Sequence, residues 1–187
     1  YEGRALLLTT GACAMHCRYC FRQNFPYKSK ISEAISLIDK DSSIKEVILS
    51  GGDPLSLSDG ALKEIFLLLE KIPHVQIIRF HTRFIGAIPE RITEKLLKIL
   101  KNSSKQIIFV LHFNCSEELD TDIFEAVSKL QSLKIPVLSQ SVLLKGVNDS
   151  IEALYSLFWN LSINGIIPYY LHQLDRVKGA LHFEVPE

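Results

Sequence analysis

Cys13-Ala14-Met15-His16-Cys17-Arg18-Tyr19-Cys20 gathers three of the four cysteines of this chain into eight residues. Thiolates are soft ligands, suited to iron–sulfur clusters, zinc or copper. Three of them in one loop can hold three irons of a [4Fe–4S] cube, which leaves the fourth iron open to a small molecule. A structural zinc site asks for a fourth Cys or His at fixed spacing. His16 lies inside the loop, but a residue next to Cys17 points poorly at the metal that Cys17 would hold. The bland alternative, three unrelated loop cysteines, fits badly with such clustering. Cys115, alone and far along the chain, is given no part in the cluster.

Outward from this loop the chain alternates between two patterns. Short apolar runs at about 5–10, 46–50, 76–81, 106–112, 136–144 and 166–173 read as six strands. Between them, five stretches have helical spacing, at about 32–38, 58–71, 89–100, 117–133 and 150–163. Ser32 and Ser58-Asp59 read as helix caps, and Pro89 as a first-turn proline. Strands apolar on both faces, separated by amphipathic helices, indicate an α/β fold with a parallel sheet. Periodicity leaves open whether that sheet closes into a barrel, forms a partial one or stays open and doubly wound. The polar motifs fall at the C-terminal ends of the strands, where such folds carry their chemistry.

Composition narrows the class. The 187 residues are 47% apolar and carry no formal net charge. This argues against a broad nucleic-acid-binding surface, and no apolar run approaches a membrane span. Scarce, clustered cysteine and no signal-peptide pattern favour a reducing, cytoplasmic setting over a disulfide framework. The chain starts on Tyr1 and stops on Pro186-Glu187 after a strand-like run. It reads as one domain, 1–187, cut from a longer protein.

The motifs resemble the radical S-adenosylmethionine (SAM) superfamily, through Cys-x-x-x-Cys-x-aromatic-Cys after an apolar strand. The wider set resembles the lysine 2,3-aminomutase family. That set is Tyr1-Glu2-Gly3-Arg4, Cys20-Phe21-Arg22, Leu49-Ser50-Gly51-Gly52-Asp53-Pro54-Leu55, His112-Phe113-Asn114, Gln140 through Asp149, and Tyr169-Tyr170-Leu171-His172-Gln173-Leu174-Asp175. The resemblance implies a partial (β/α)6 barrel of the TIM-like, radical SAM type. It implies a [4Fe–4S] cluster on Cys13, Cys17 and Cys20, with SAM on the open iron and pyridoxal 5′-phosphate (PLP) as a further cofactor.

The same resemblance distributes roles over the remaining motif residues. Tyr19 lies near the adenine, and Gly51, Gly52 and Asp53 lie beside SAM, although a tight turn explains the glycines alone. His112 and Asn114 close the fourth strand near SAM, and Gln140 contacts its ribose or the cofactor. Arg22 meets the carboxylate of an amino-acid substrate, and Arg4 the phosphate of PLP. Asp175 pairs with the ε-ammonium of lysine, its bland alternative being a salt bridge to Arg176 or Lys178. Arg83 and His81 are secondary candidates at the barrel mouth.

Two departures from the family pattern matter. The family's PLP-binding lysine follows a glycine-rich segment beyond residue 187, so no such lysine is assigned. Catabolic members tend to carry a zinc-binding cysteine where this chain has Ser150. The segment from Tyr169 to Phe183 reads closer to the branch that makes (R)-β-lysine for elongation factor P. The expected activity is therefore 2,3-amino migration on L-lysine by an isomerase. It would be fed by a reductant such as flavodoxin or ferredoxin and compatible with a homo-oligomer. Aminomutation of free lysine or glutamate is the runner-up. An iron–sulfur electron carrier or redox sensor is the alternative of a different class.

Overall fold

The computed structural model describes residues 2–23, 25 and 30–186. Tyr1 of the quoted motif, and residues 24 and 26–29 of the polar connection after the cysteines, lie outside the described residues. Six strands follow one another: β1 (Arg4–Thr10), β2 (Glu46–Gly51), β3 (Ile77–Thr82), β4 (Gln106–His112), β5 (Val137–Val142) and β6 (Ile167–His172). Between them run α1 (Ile31–Lys40), α2 (Asp59–Glu70), α3 (Glu94–Lys101), α4 (Thr121–Ser132) and α5 (Ile151–Ile163).

Every strand pairs in parallel with the next, and the sheet order is β1-β2-β3-β4-β5-β6. A doubly wound sheet reverses its order at a switch point. None occurs here, so the helices stay on one side and the sheet is an open, TIM-like partial barrel.

Local chemistry starts most of the helices. Ser58, Thr93, Asp120 and Ser150 each accept from a backbone N–H in the first turn of α2, α3, α4 and α5. Three expectations shift. The stretch expected to be helical from 117 begins as a 3-10 turn, Ser116–Glu118, and α4 starts only at Thr121, behind its Asp120 cap. Ser32 does not cap α1: the helix starts at Ile31, with Lys30 at the cap position and no side-chain cap. Ile31 packs on the core, which draws the first turn forward past the serine. The stretch after Pro89 is not one helix but a 3-10 turn, Pro89–Arg91, followed by α3. Thr93 caps α3, and Arg91 is tied down by donating to the carbonyls of Leu55 and Leu57.

The core lies between the helices and the outward face of the sheet. Val47, Leu49, Ile78, Phe80, Phe109 and Val137 all belong to it, and Phe80 stacks on Phe109 at 4.6 Å. The alternate residues point the other way. Ile48, Ser50, His81, His112, Gln140, Val142, Tyr170 and His172 line a cavity inside the barrel. The expectation of strands apolar on both faces holds only in part: the inner face mixes apolar residues such as Ile48 and Val142 with polar ones, because it forms a site rather than a core. Among the described residues, no helix is long and apolar enough to cross a membrane.

Candidate active site

The cavity measures about 510 Å³ and opens at the C-terminal ends of the strands. Cys13, Cys17 and Cys20 all line it, from the loop that leaves β1. Backbone turns shape that loop: the amide of Cys20 donates to the carbonyl of Cys17 at 3.1 Å, and Gln23 Nε2 donates to the same carbonyl at 2.7 Å. Among the described residues, no three His, Cys, Asp or Glu side chains close around a single metal ion. A cube held by one thiolate per iron does not need that convergence.

The loop after β2 lies directly against the cysteine loop. Gly52 N donates to Thr10 O at 2.7 Å, and Asp53 N to Ala12 O at 2.9 Å. A Cβ on Gly52 would stand 2.7 Å from the carbonyl carbon of Ala12 and 2.8 Å from that of Gly11. Gly51 has φ +125°, and a Cβ there would sit 2.5 Å from Thr10 O. The two glycines let one backbone approach another; both also line the cavity.

Asp53 is 2% exposed, and its carboxylate is fully engaged. It accepts from Leu55 N (2.9 Å), Thr82 Oγ1 (2.8 and 2.9 Å) and Arg83 N (2.8 Å). Burial pushes its pKa up, and these hydrogen bonds pull against the shift. Asp53 therefore serves chiefly to fasten the glycine loop to the end of β3.

Tyr19, His112 and Asn114 meet on the opposite wall. The Tyr19 hydroxyl receives hydrogen bonds from Arg83 and from Asn114 Nδ2 (2.5 Å) and lies 3.3 Å from His112 Nε2. Asn114 is 1% exposed, and its Oδ1 also accepts from Val142 N at 2.9 Å. Buried amides need such partners. Asn114 braces the wall and lines a second, smaller cavity of about 240 Å³ on the far side of Tyr19. Gln140 lines the main cavity together with His81.

Three charged candidates line the main cavity. Arg22 stacks on Phe21, its guanidinium 4.9 Å from the ring centre. Asp175 is solvent-exposed at the cavity rim and has no ion pair among the described residues. Its bland alternative is overturned for Arg176, which pairs with Glu184 at 2.6 Å. Arg4 pairs with Glu46 at 2.7 Å, and Glu46 also holds Arg79 at 2.5 Å. Glu46 and Arg79 are each 5% exposed, and no motif in the sequence singles out either. A charged residue opening a strand gives no sign that its partner will come from β3.

Two of the inner histidines, His81 and His112, are held neutral. Burial, then the Arg83 charge, brings His112 down to about 3; burial, then Arg79, brings His81 down to about 4. Below pH 6.5 the unfolded chain takes up protons at these positions and the folded chain does not. Their contribution to stability is therefore intact above pH 6.5 and is lost as pH falls towards 4, at about 1.4 kcal/mol per pH unit for each histidine. The urea midpoint should drop between pH 7 and pH 5, and the double variant His81→Gln/His112→Gln should flatten that slope. An unchanged slope would assign the acid sensitivity to other groups.

The donor set suits an iron–sulfur cluster: three half-buried thiols on one loop facing one cavity. PLP is served less fully. Arg4 lines the cavity, but no lysine does among the described residues.

The sequence profile of the Radical SAM superfamily matches residues 7–158. Proteins named L-lysine 2,3-aminomutase match the whole chain. That of Haemophilus influenzae is 44% identical, that of Escherichia coli 42% and that of Bacillus subtilis 37%. The chain spans 57%, 56% and 41% of their respective lengths. A solved structure, native anSMEcpe with bound AdoMet and Kp18Cys peptide, superposes with a TM-score of 0.71 at 14% identity. It covers 97% of this chain and 55% of that one, and it shares the fold. The chain belongs to the radical SAM superfamily, and along its full length it is similar to L-lysine 2,3-aminomutases.

Proposed function

We propose that the whole protein is a SAM- and PLP-dependent isomerase that moves the amino group of L-lysine from C2 to C3. Its product would be (R)-β-lysine destined for elongation factor P. The observation that carries this is the single cavity that Cys13, Cys17, Cys20, Arg22 and Asp175 share, in a chain similar over its full length to lysine 2,3-aminomutases. An electron carrier has no use for such a ligand-sized chamber.

Cys13, Cys17 and Cys20 would hold the cluster, which when bound supplies the electron that cleaves SAM and so starts radical chemistry. The residues of this chain bind and orient. Arg22 offers a fork of N–H donors to a carboxylate. Asp175, at the exposed rim of the same cavity, offers a carboxylate to the distal ammonium of lysine. His81 and His112, both neutral, add hydrogen-bonding capacity beside the arginines without adding charge.

Substrate choice tests the proposal. Anaerobically reconstituted whole protein, supplied with SAM and a reductant, should turn over lysine well above glutamate or norleucine. Because Asp175 sits at an exposed rim, its contribution is smaller than that of a buried pair. Asp175→Asn should cost lysine turnover about tenfold, ~1.4 kcal/mol, and spare uncoupled formation of 5′-deoxyadenosine. A preference for glutamate, or an unaffected Asp175→Asn variant, would sink this substrate assignment.

A further inference from the structure

Tyr19 is a wall with a cavity on each side. Both cavities are lined by Cys17, Tyr19 and Arg83. A phenol ring in such a place needs something to fix its angle, and the structure shows what does so. Arg83, at the end of β3, donates one guanidinium nitrogen to the Tyr19 hydroxyl and another to Glu118 Oε1 at 2.8 Å. Its backbone N–H is held by Asp53. Its side chain is 13% exposed and that of Glu118 is 23% exposed. Arg83 thus joins three loops that are far apart in sequence: the cysteine loop, the glycine loop and the 3-10 turn (Ser116–Glu118) after β4.

The charges agree with the geometry. Burial lowers the pKa of Arg83, but the Glu118 carboxylate and the hydrogen bond to Tyr19 outweigh it, so the guanidinium remains a cation. Burial raises the pKa of Tyr19, keeping the phenol protonated. A protonated hydroxyl still accepts from Arg83 and Asn114. Glu118 supplies the counter-charge that makes a buried guanidinium tolerable.

We propose that Arg83, held in place by Glu118, is a positioning residue for SAM binding: it fixes the Tyr19 ring between the two cavities. Nothing in the sequence pattern assigns Glu118 a role, because it lies 35 residues from Arg83, in a turn that follows the next strand. The inference rests on the SAM-binding part of the function proposed above.

A double-mutant cycle decides it, since coupled residues show non-additive effects. Cluster-reconstituted wild-type, Arg83→Lys, Tyr19→Phe, the double variant and Glu118→Gln are compared for bound iron, SAM affinity by equilibrium dialysis, and the change that SAM causes in the reduced cluster's electron paramagnetic resonance spectrum. Iron content should stay at the wild-type level throughout. Arg83→Lys and Tyr19→Phe should each weaken SAM binding about tenfold. The double variant should be no weaker than either single one. Glu118→Gln should weaken binding several-fold and alter the SAM-dependent spectrum in the same way as Arg83→Lys. Additive losses, unchanged SAM affinity, or loss of iron in Arg83→Lys would overturn the positioning role. A wild-type protein that takes up its cluster but binds no SAM would overturn the proposed function itself, and the inference with it. Neither result depends on measuring aminomutase activity.

Discussion

Alanine at Cys13, Cys17 or Cys20 is expected to strip the protein of most of its iron and of its visible absorption, whichever of the three is changed. Each thiol lines the same cavity from one short loop, so removing one takes away a ligand on which the whole cluster depends. Formation of 5′-deoxyadenosine from SAM should fall below detection in all three variants. Cys115→Ala should retain wild-type iron. The Cys115 thiol is turned towards Glu118 at 3.8 Å, and burial and that carboxylate push its pKa up to about 11. It stays protonated at neutral pH, and a thiol is a far poorer ligand than a thiolate. Iron per chain and absorption after anaerobic reconstitution give the answer. Equal loss in the Cys115 variant would end the three-ligand assignment.

Gly52→Ala is expected to be nearly as damaging, although it adds a single methyl group. That methyl would overlap the backbone of Gly11 and Ala12, and backbone cannot swing aside as the tip of a long side chain can. Forcing an extra carbon into a filled space costs ~1–3 kcal/mol where side chains can adjust, and here they cannot. Gly51→Ala adds a second difficulty: φ +125° is a conformation that L residues rarely adopt, in addition to contact with Thr10 O. Both variants should lower the unfolding midpoint by several degrees and lose SAM binding and iron together, because the glycine loop and the cysteine loop share hydrogen bonds. The surface glycine Gly60, whose Cβ position meets nothing nearer than Ser58 Oγ at 3.8 Å, is the control. Its alanine variant should retain iron. If Gly52→Ala keeps wild-type iron and stability, the two loops are not packed as described.

The boundaries of the strands were legible to within a residue or two. An apolar run flanked by glycine, proline and polar residues has few other ways to satisfy its backbone. Ser58 and Ser150 were legible as helix starts because a cap acts on the turn next to it. Ser32 was misleading for the complementary reason: Ile31 had a place in the core, and packing overrode the cap. Local pattern could not show that the inner face of the barrel carries a polar site. Arg79, His81 and Gln140 interrupt their strands singly, and each looks like an exception until six strands bring the exceptions to one surface.

By itself the sequence determined the grouping of three thiols in one loop, the alternation of strand and helix, and the strand ends that carry the polar motifs. These depend on spacing within one loop or one element. Tertiary structure alone decided which polar groups are spoken for. It joined Asp53 to Thr82 and Arg83, Arg4 and Arg79 to Glu46, and Tyr19 to Arg83, Asn114 and, through Arg83, Glu118. Such pairs lie tens of residues apart, and no periodicity records them. They form because a charge or hydroxyl carried inside the barrel loses its water and must take its partner from whatever strand end folding sets beside it.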